Sequence, residues 1–216
     1  MANKRGTTNQ RKTSSRRRRM KRTKRVITRR TVRFFALVGV GLAILVIIFG
    51  ITQSTNKIHM PLSPSVKSYD ETILKLSKKY GIESYAPLVS AVMMQESHGR
   101  GNDPMQSSEG NYNTRFPQEP HGITDPRYSI ECGVHQLADD LKMAGCKGPT
   151  DIKGISLAIQ GYNFGDGYIK WALKKYGEYS EKNAKEFSEM MAKKLGMSGY
   201  GDIHYVKHVL RYYPYS

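Results

Sequence analysis

The chain has 216 residues, with 35 Lys and Arg against 18 Asp and Glu and a formal net charge of +17. Residues 1–33 hold 15 of those basic side chains and no acid, leaving 20 basic against 18 acidic residues in the rest. A strongly basic folded body is therefore excluded; the pI near 9.9 belongs to the tail. The six His form no H-E-x-x-H motif and the two Cys no C-x-x-C pair, so neither a metal site nor any other cofactor is expected.

The tail, with its RRRRMKRTKR run, is a block of like charge without interleaved aromatics, so it offers no stacking platform for bases. Nucleic acid, ranked second, is not an expected partner. Anionic lipid comes first, at about 1 kcal/mol per basic residue near a membrane surface, because an 18-residue uncharged run follows at 34–51, FFALVGVGLAILVIIFGI. As a helix it spans about 27 Å, close to a bilayer core. We read 34–52 as a single transmembrane helix rather than a cleaved signal peptide, whose apolar region is shorter and ends in a small-x-small site. The charge asymmetry around it predicts the tail inside and the C-terminal part outside the cell. Residues 53–68, with Pro61 and Pro64 among Ser, Thr, Gln and Asn, read as a stalk.

From 69 to 216 one compact domain is expected. Its periodicity is helical: Ile73, Leu76 and Tyr80; then Val89, Val92 and Met93; then Val134, Leu137 and Leu141; then Ile155, Ala158 and Ile159; then Phe187, Met190, Met191 and Leu195. The fold class is all-α, with at most a small hairpin in the Gly-, Asn- and Pro-rich loop at 99–126. A loop of that length tends to carry function.

The most informative stretch is VMMQESHGRGNDPMQSS at 92–108. Glu96 falls at the C-terminal end of an apolar helix, which Gly99 and Gly101 terminate. A carboxyl group held against Met and Val resists ionisation, and a carboxyl protonated near neutral pH is what a general acid requires. Asp103 lies in a Gly-Asn-Asp-Pro turn. Two carboxyl groups in contrasting surroundings suit cleavage of a glycosidic bond.

Four segments add specificity: Glu96-Ser97, the Asp103 to Ser108 run DPMQSS, SIECGV beginning at Ser129, and QGYNFG beginning at Gln160. In this order they resemble the lysozyme-like domain of CwlT-type cell-wall hydrolases, related to goose-type lysozymes, lytic transglycosylases and pneumococcal vaccine antigen A-like proteins. The resemblance covers most of 69–214. It implies a lysozyme-like catalytic domain acting on peptidoglycan glycan strands, with Glu96 and Asp103 catalytic. Ser97, Met105, Gln106, Ser107, Tyr162 and Asn163 are the implied substrate contacts: Met105 against a ring face, Gln106 and Ser107 toward sugar hydroxyls and acetamido groups, Tyr162 and Asn163 facing the acid. Turn capping is the competing role for Ser107 and Ser108. The C-terminal DIHYVKHVLRYYPYS resembles the family's final helix, where a Tyr approaches the active site; Tyr205 and Tyr212 are candidates left out of the expected set. Glu131 is a further acid whose distance from Glu96 is open.

The expected reaction is cleavage of the β-1,4 bond between N-acetylmuramic acid and N-acetylglucosamine, as a muramidase or a lytic transglycosylase. The alternative is a tethered glycan-binding or scaffolding module of a cell-envelope complex. Cys132 and Cys146 can pair only if the helix between them ends near Lys142 or earlier.

Overall fold

The computed structural model describes residues 59–216. The basic tail, the apolar run at 34–51 and the first part of the expected stalk lie outside the described residues, among which no helix is long and apolar enough to cross a membrane.

Within them the chain forms α1 (Pro64–Lys67), α2 (Asp70–Lys79), a 3₁₀ turn (Glu83–Tyr85), α3 (Ala86–Glu96), α4 (Pro126–Met143), α5 (Ile152–Phe164), α6 (Asp166–Lys175), α7 (Glu181–Leu195) and α8 (Tyr205–Leu210). No strand occurs among the described residues, and the long loop contains turns rather than a hairpin.

The organising element is α3. Leu88 to Met94 are all buried, so the helix has no solvated face and must be wrapped by others. Pro87 in its first turn fits a position whose N–H would be unpaired anyway. The wrapping helices include α1, α2 and α8, while α4 packs against α2 and α5. Val89, Met93, Ile130, Leu137, Ile155, Ile159, Tyr205 and Val209 share the resulting core. A second cluster, built on Phe164, Tyr168, Ile169 and Phe187, joins α5, α6 and α7.

Local chemistry sets the ends. Asp125 caps α4 by accepting from the N–H groups of Arg127 and Tyr128, and Ser180 and Asn183 form a reciprocal capping box on α7. Beyond α3 the backbone turns left-handed at His98 and Gly99, with φ of 60° and 74°. At Gly99 a Cβ would stand 2.7 Å from the backbone nitrogen of Val66, so only glycine lets α1 lie this close.

Two expectations are revised here, and the condition for a 132–146 bridge is not met. The stalk does not extend to 68: Val66 is fully buried, Ser63 caps α1 and its hydroxyl donates to the His98 carbonyl, so the folded body begins earlier than composition suggested. The apolar stripe of α7 is only partly internal. Phe187 is buried, whereas Met190 and Leu195 are 42% and 51% exposed, because the inward face is completed by Ala184, Ser188 and Ala192. Helix α4 continues to Met143, past the limit for a 132–146 bridge, and both Cys132 and Cys146 are free thiols.

Candidate active site

Glu96 occupies the last position of α3, where apolar packing meets the loop. Burial raises its pKa from 4.5 to about 7; a hydrogen bond from Tyr205 opposes that shift, and the negative charges of Asp103 and Asp202 add to it. The Tyr205 hydroxyl, on the buried face of α8, donates to Glu96 Oε1. Its own pKa is driven well above 10 by burial and then by Glu96. Tyr205 is thus the direct partner of the acid, and Asp202 is a charge near it that sequence reading did not identify.

The contact suggests a test. Tyr205→Phe removes the donor that favours ionised Glu96, so the alkaline limb of any activity that needs protonated Glu96 moves to higher pH. The variant loses about 1–2 kcal/mol of stability with the buried hydroxyl's partner. A pH profile beside a denaturant titration checks both; an unmoved limb means that Tyr205 does not tune the acid.

Asp103 has a different setting. It is 4% exposed, and its carboxylate accepts four hydrogen bonds. Ser107 N and Ser129 Oγ reach Oδ1 at 2.9 and 2.6 Å, while Ser108 N and Oγ reach Oδ2 at 3.0 and 2.5 Å. A carboxylate offers about four acceptor sites, so this one is filled. Asp103 ties the 103–108 turn to α4, and Ser108 extends the tie by accepting from Ile123 N at 3.0 Å. The turn-capping role considered for the serines therefore holds for Ser108.

Ser97 is likewise committed. Its hydroxyl donates to the Pro104 carbonyl at 2.8 Å and accepts from Gly99 N and Arg100 N, which uses all its bonding capacity within the loop. An expected substrate contact thus becomes a loop clasp. Met105 departs further from expectation: its side chain is fully buried against Gly133 and cannot face a sugar ring. A Cβ on Gly133 would meet Met105 Cβ at 2.6 Å and the Tyr162 hydroxyl at 2.8 Å, so that glycine is what admits both groups.

Gln106, Ser107, Tyr162 and Asn163 line a common cleft of about 470 Å³. Gln106 is exposed and adopts a left-handed φ of 49°, unusual for a non-glycine residue. Its amide donates to the Asp103 carbonyl at 3.0 Å. The Tyr162 hydroxyl donates to the Met105 carbonyl at 2.9 Å, so Tyr162 braces the turn and Tyr205 holds the acid. Asn163 spends its carbonyl oxygen on Asp202 N at 2.7 Å, which leaves its NH2 group as the part free to meet a ligand.

Glu96 is not itself a wall of this cleft. Tyr162 links the two: it lines the cleft, and its hydroxyl is raised well above 10 by burial and by neighbouring Glu96. Glu131 is elsewhere, paired with Lys79 and Tyr80, and the Lys79 hydrogen bond holds its carboxyl below the usual range. Among the described residues no group of three or more His, Cys, Asp or Glu is placed to hold a metal ion.

The family model described as Lysozyme-like matches residues 63–213, and the chain belongs to that family. Among its relatives, the bifunctional muramidase/DL-endopeptidase CwlT of Bacillus subtilis is 37% identical over 151 residues, covering 70% of this chain and 42% of CwlT. The uncharacterized membrane protein YocA of the same organism is 40% identical over 114 residues, covering 53% of this chain and 47% of YocA. The chain thus spans less than half the length of either relative. A crystal structure of a lipoprotein-like NLP/P60-family protein from Staphylococcus aureus is similar with a TM-score of 0.60 and 28% identity, over 71% of this chain and 54% of that one.

Proposed function

We propose that this protein cleaves peptidoglycan at the β-1,4 bond between N-acetylmuramic acid and N-acetylglucosamine, as a muramidase or a lytic transglycosylase. The observation that carries the reading is Glu96: a carboxyl group raised to about 7 by burial, next to a cleft lined by Gln106, Ser107, Tyr162 and Asn163. The relation to CwlT, a muramidase by name, supplies the substrate class. In the reaction Glu96 gives its proton to the glycosidic oxygen, the C1–O bond breaks with its electron pair leaving on that oxygen, and positive charge develops at the anomeric carbon. Asp103 acts on this state through the turn it holds in place, which carries Gln106 and Ser107 into the cleft.

Two fates of the cation are open to the chemistry. Water adds to it in a muramidase, returning a proton to Glu96. In a lytic transglycosylase the substrate's own 6-hydroxyl adds to the anomeric carbon and closes a 1,6-anhydro ring, its proton passing back to Glu96. The second route is favoured by one observation: all four acceptor sites of Asp103 are filled, leaving none to orient a water. Mass spectrometry of fragments from purified peptidoglycan tests both readings. Reducing N-acetylmuramic acid ends identify hydrolysis and 1,6-anhydro ends transglycosylation, while an absence of glycan fragments overturns the assignment.

We further propose that the apolar run at 34–51 anchors the chain by a single span, with the basic tail inside against anionic lipid and the domain facing the wall. The relation to YocA, a membrane protein by name, is consistent with this. Carbonate-resistant retention in membranes, lost on deleting 34–51, is the expected result; extraction of the intact chain by carbonate contradicts it.

A further inference from the structure

Behind the cleft stands a side-chain pair that the reaction as described does not use. Asp140, on α4, is completely buried, and the only hydrogen bond of its carboxyl group among the described residues is to Gln136 one turn earlier, where Nε2 donates to Oδ2 at 3.0 Å. Its other oxygen, Oδ1, is buried without a partner. A carboxyl group in that position costs stability, and such a cost calls for a compensating role. Burial raises its pKa to about 7, with Asp166 and Asp139 adding to the shift and the Gln136 bond opposing it.

What the pair achieves is an oriented amide. When ionised, Asp140 can only accept and takes the NH2 end of Gln136, which leaves the carbonyl end of the amide as the free one. No protein group among the described residues donates to Gln136 Oε1, and the side chain forms part of the cleft wall with Tyr112, Tyr162, Asn163 and Asp166. The cleft therefore offers complementary polar groups: a donor in the Asn163 NH2 and an acceptor in the Gln136 carbonyl.

We propose that Gln136 is a binding residue that accepts a hydrogen bond from an amide N–H of the bound polymer, and that Asp140 is the positioning residue that turns its carbonyl toward the ligand. This rests on the peptidoglycan reading above. The amide belongs either to a sugar acetamido group or to a peptide stem.

The test measures binding rather than cleavage, using the full chain with Glu96→Gln so that substrate is not consumed. Gln136→Met keeps the length of the side chain and removes the acceptor. On intact purified glycan strands it is expected to weaken binding about fivefold, the order of one neutral hydrogen bond. Strands chemically de-N-acetylated and strands stripped of stems by amidase then locate the donor, because the penalty disappears on whichever material lacks it. Asp140→Asn frees the amide to rotate and is expected to give a smaller loss with the same dependence on strand chemistry. Should Asp140→Asn fail to fold, Gln136→Met still decides the matter. Equal affinity of Gln136→Met and its parent on intact strands, or an equal penalty on all three materials, overturns the proposal. Failure of the peptidoglycan reading itself would show separately, as no glycan fragments from the unmodified chain.

Discussion

Replacing Glu96 by Gln lowers the release of glycan fragments by about 10²- to 10⁴-fold, the contribution of a positioned general acid, while raising stability at alkaline pH. The second half of that result follows from linkage. Glu96 has a pKa near 7 in the fold against 4.5 for an ordinary glutamate, so between those values the native state binds the proton more firmly than the unfolded chain. Native stability is therefore fully present below about 4.5 and declines as pH rises through 7. Glutamine carries no such penalty and still accepts from Tyr205. The variant should be more stable than its parent at pH 8, by an amount on the order of 1–3 kcal/mol, and nearly equal to it at pH 4.5. Denaturant titrations at both pH values measure this. Equal stability at pH 8 means that the fold does not hold Glu96 protonated.

Asp103→Asn produces a comparably large effect by another route. Each carboxylate oxygen of Asp103 accepts one backbone N–H and one hydroxyl, so an amide NH2 in either place faces a backbone N–H that cannot turn away. The expected cost is about 2–4 kcal/mol, or roughly 5 to 15 °C in Tm for a domain of this size. The damage should concentrate in the 99–126 loop, where amide hydrogen exchange rises. Fragment release falls with it, because the loop carries Gln106 and Ser107 into the cleft. Full retention of Tm with loss of activity would assign Asp103 a direct chemical role instead of the scaffolding role its hydrogen bonds describe.

Much of the helical order was readable because 3.6-residue periodicity and capping chemistry are local. Helix α3 ends at Glu96 as the apolar run and the following glycines predicted, and the 155–159 pattern lies within α5. What escaped depended on contacts distant in sequence. Tyr205 reaches Glu96 across 109 positions, and nothing around either residue specifies that meeting. Met105 was expected to offer its apolar surface to a ring face, yet the absence of a side chain at Gly133 on α4 provides the space that buries it. Ser97 read as a ligand contact, while its hydroxyl is consumed by the turn that follows it. Residue types at the site were legible; their division into ligand-facing and scaffold groups required the loop's hydrogen bonds. The one available signal for Tyr205 was the resemblance of the C-terminal segment to the family's final helix.

A glutamate protonated near neutrality, a turn pinned by a saturated aspartate and a cleft edged by amides form a site in which one ionisable group does the proton transfer. The pH dependence of fragment release from purified peptidoglycan, followed from pH 5 to 9, tests that claim most directly. Activity falling as pH rises through about 7 is the predicted result, as Glu96 loses the proton it must donate. Activity undiminished to pH 9, or an absence of fragments at every pH, would contradict it.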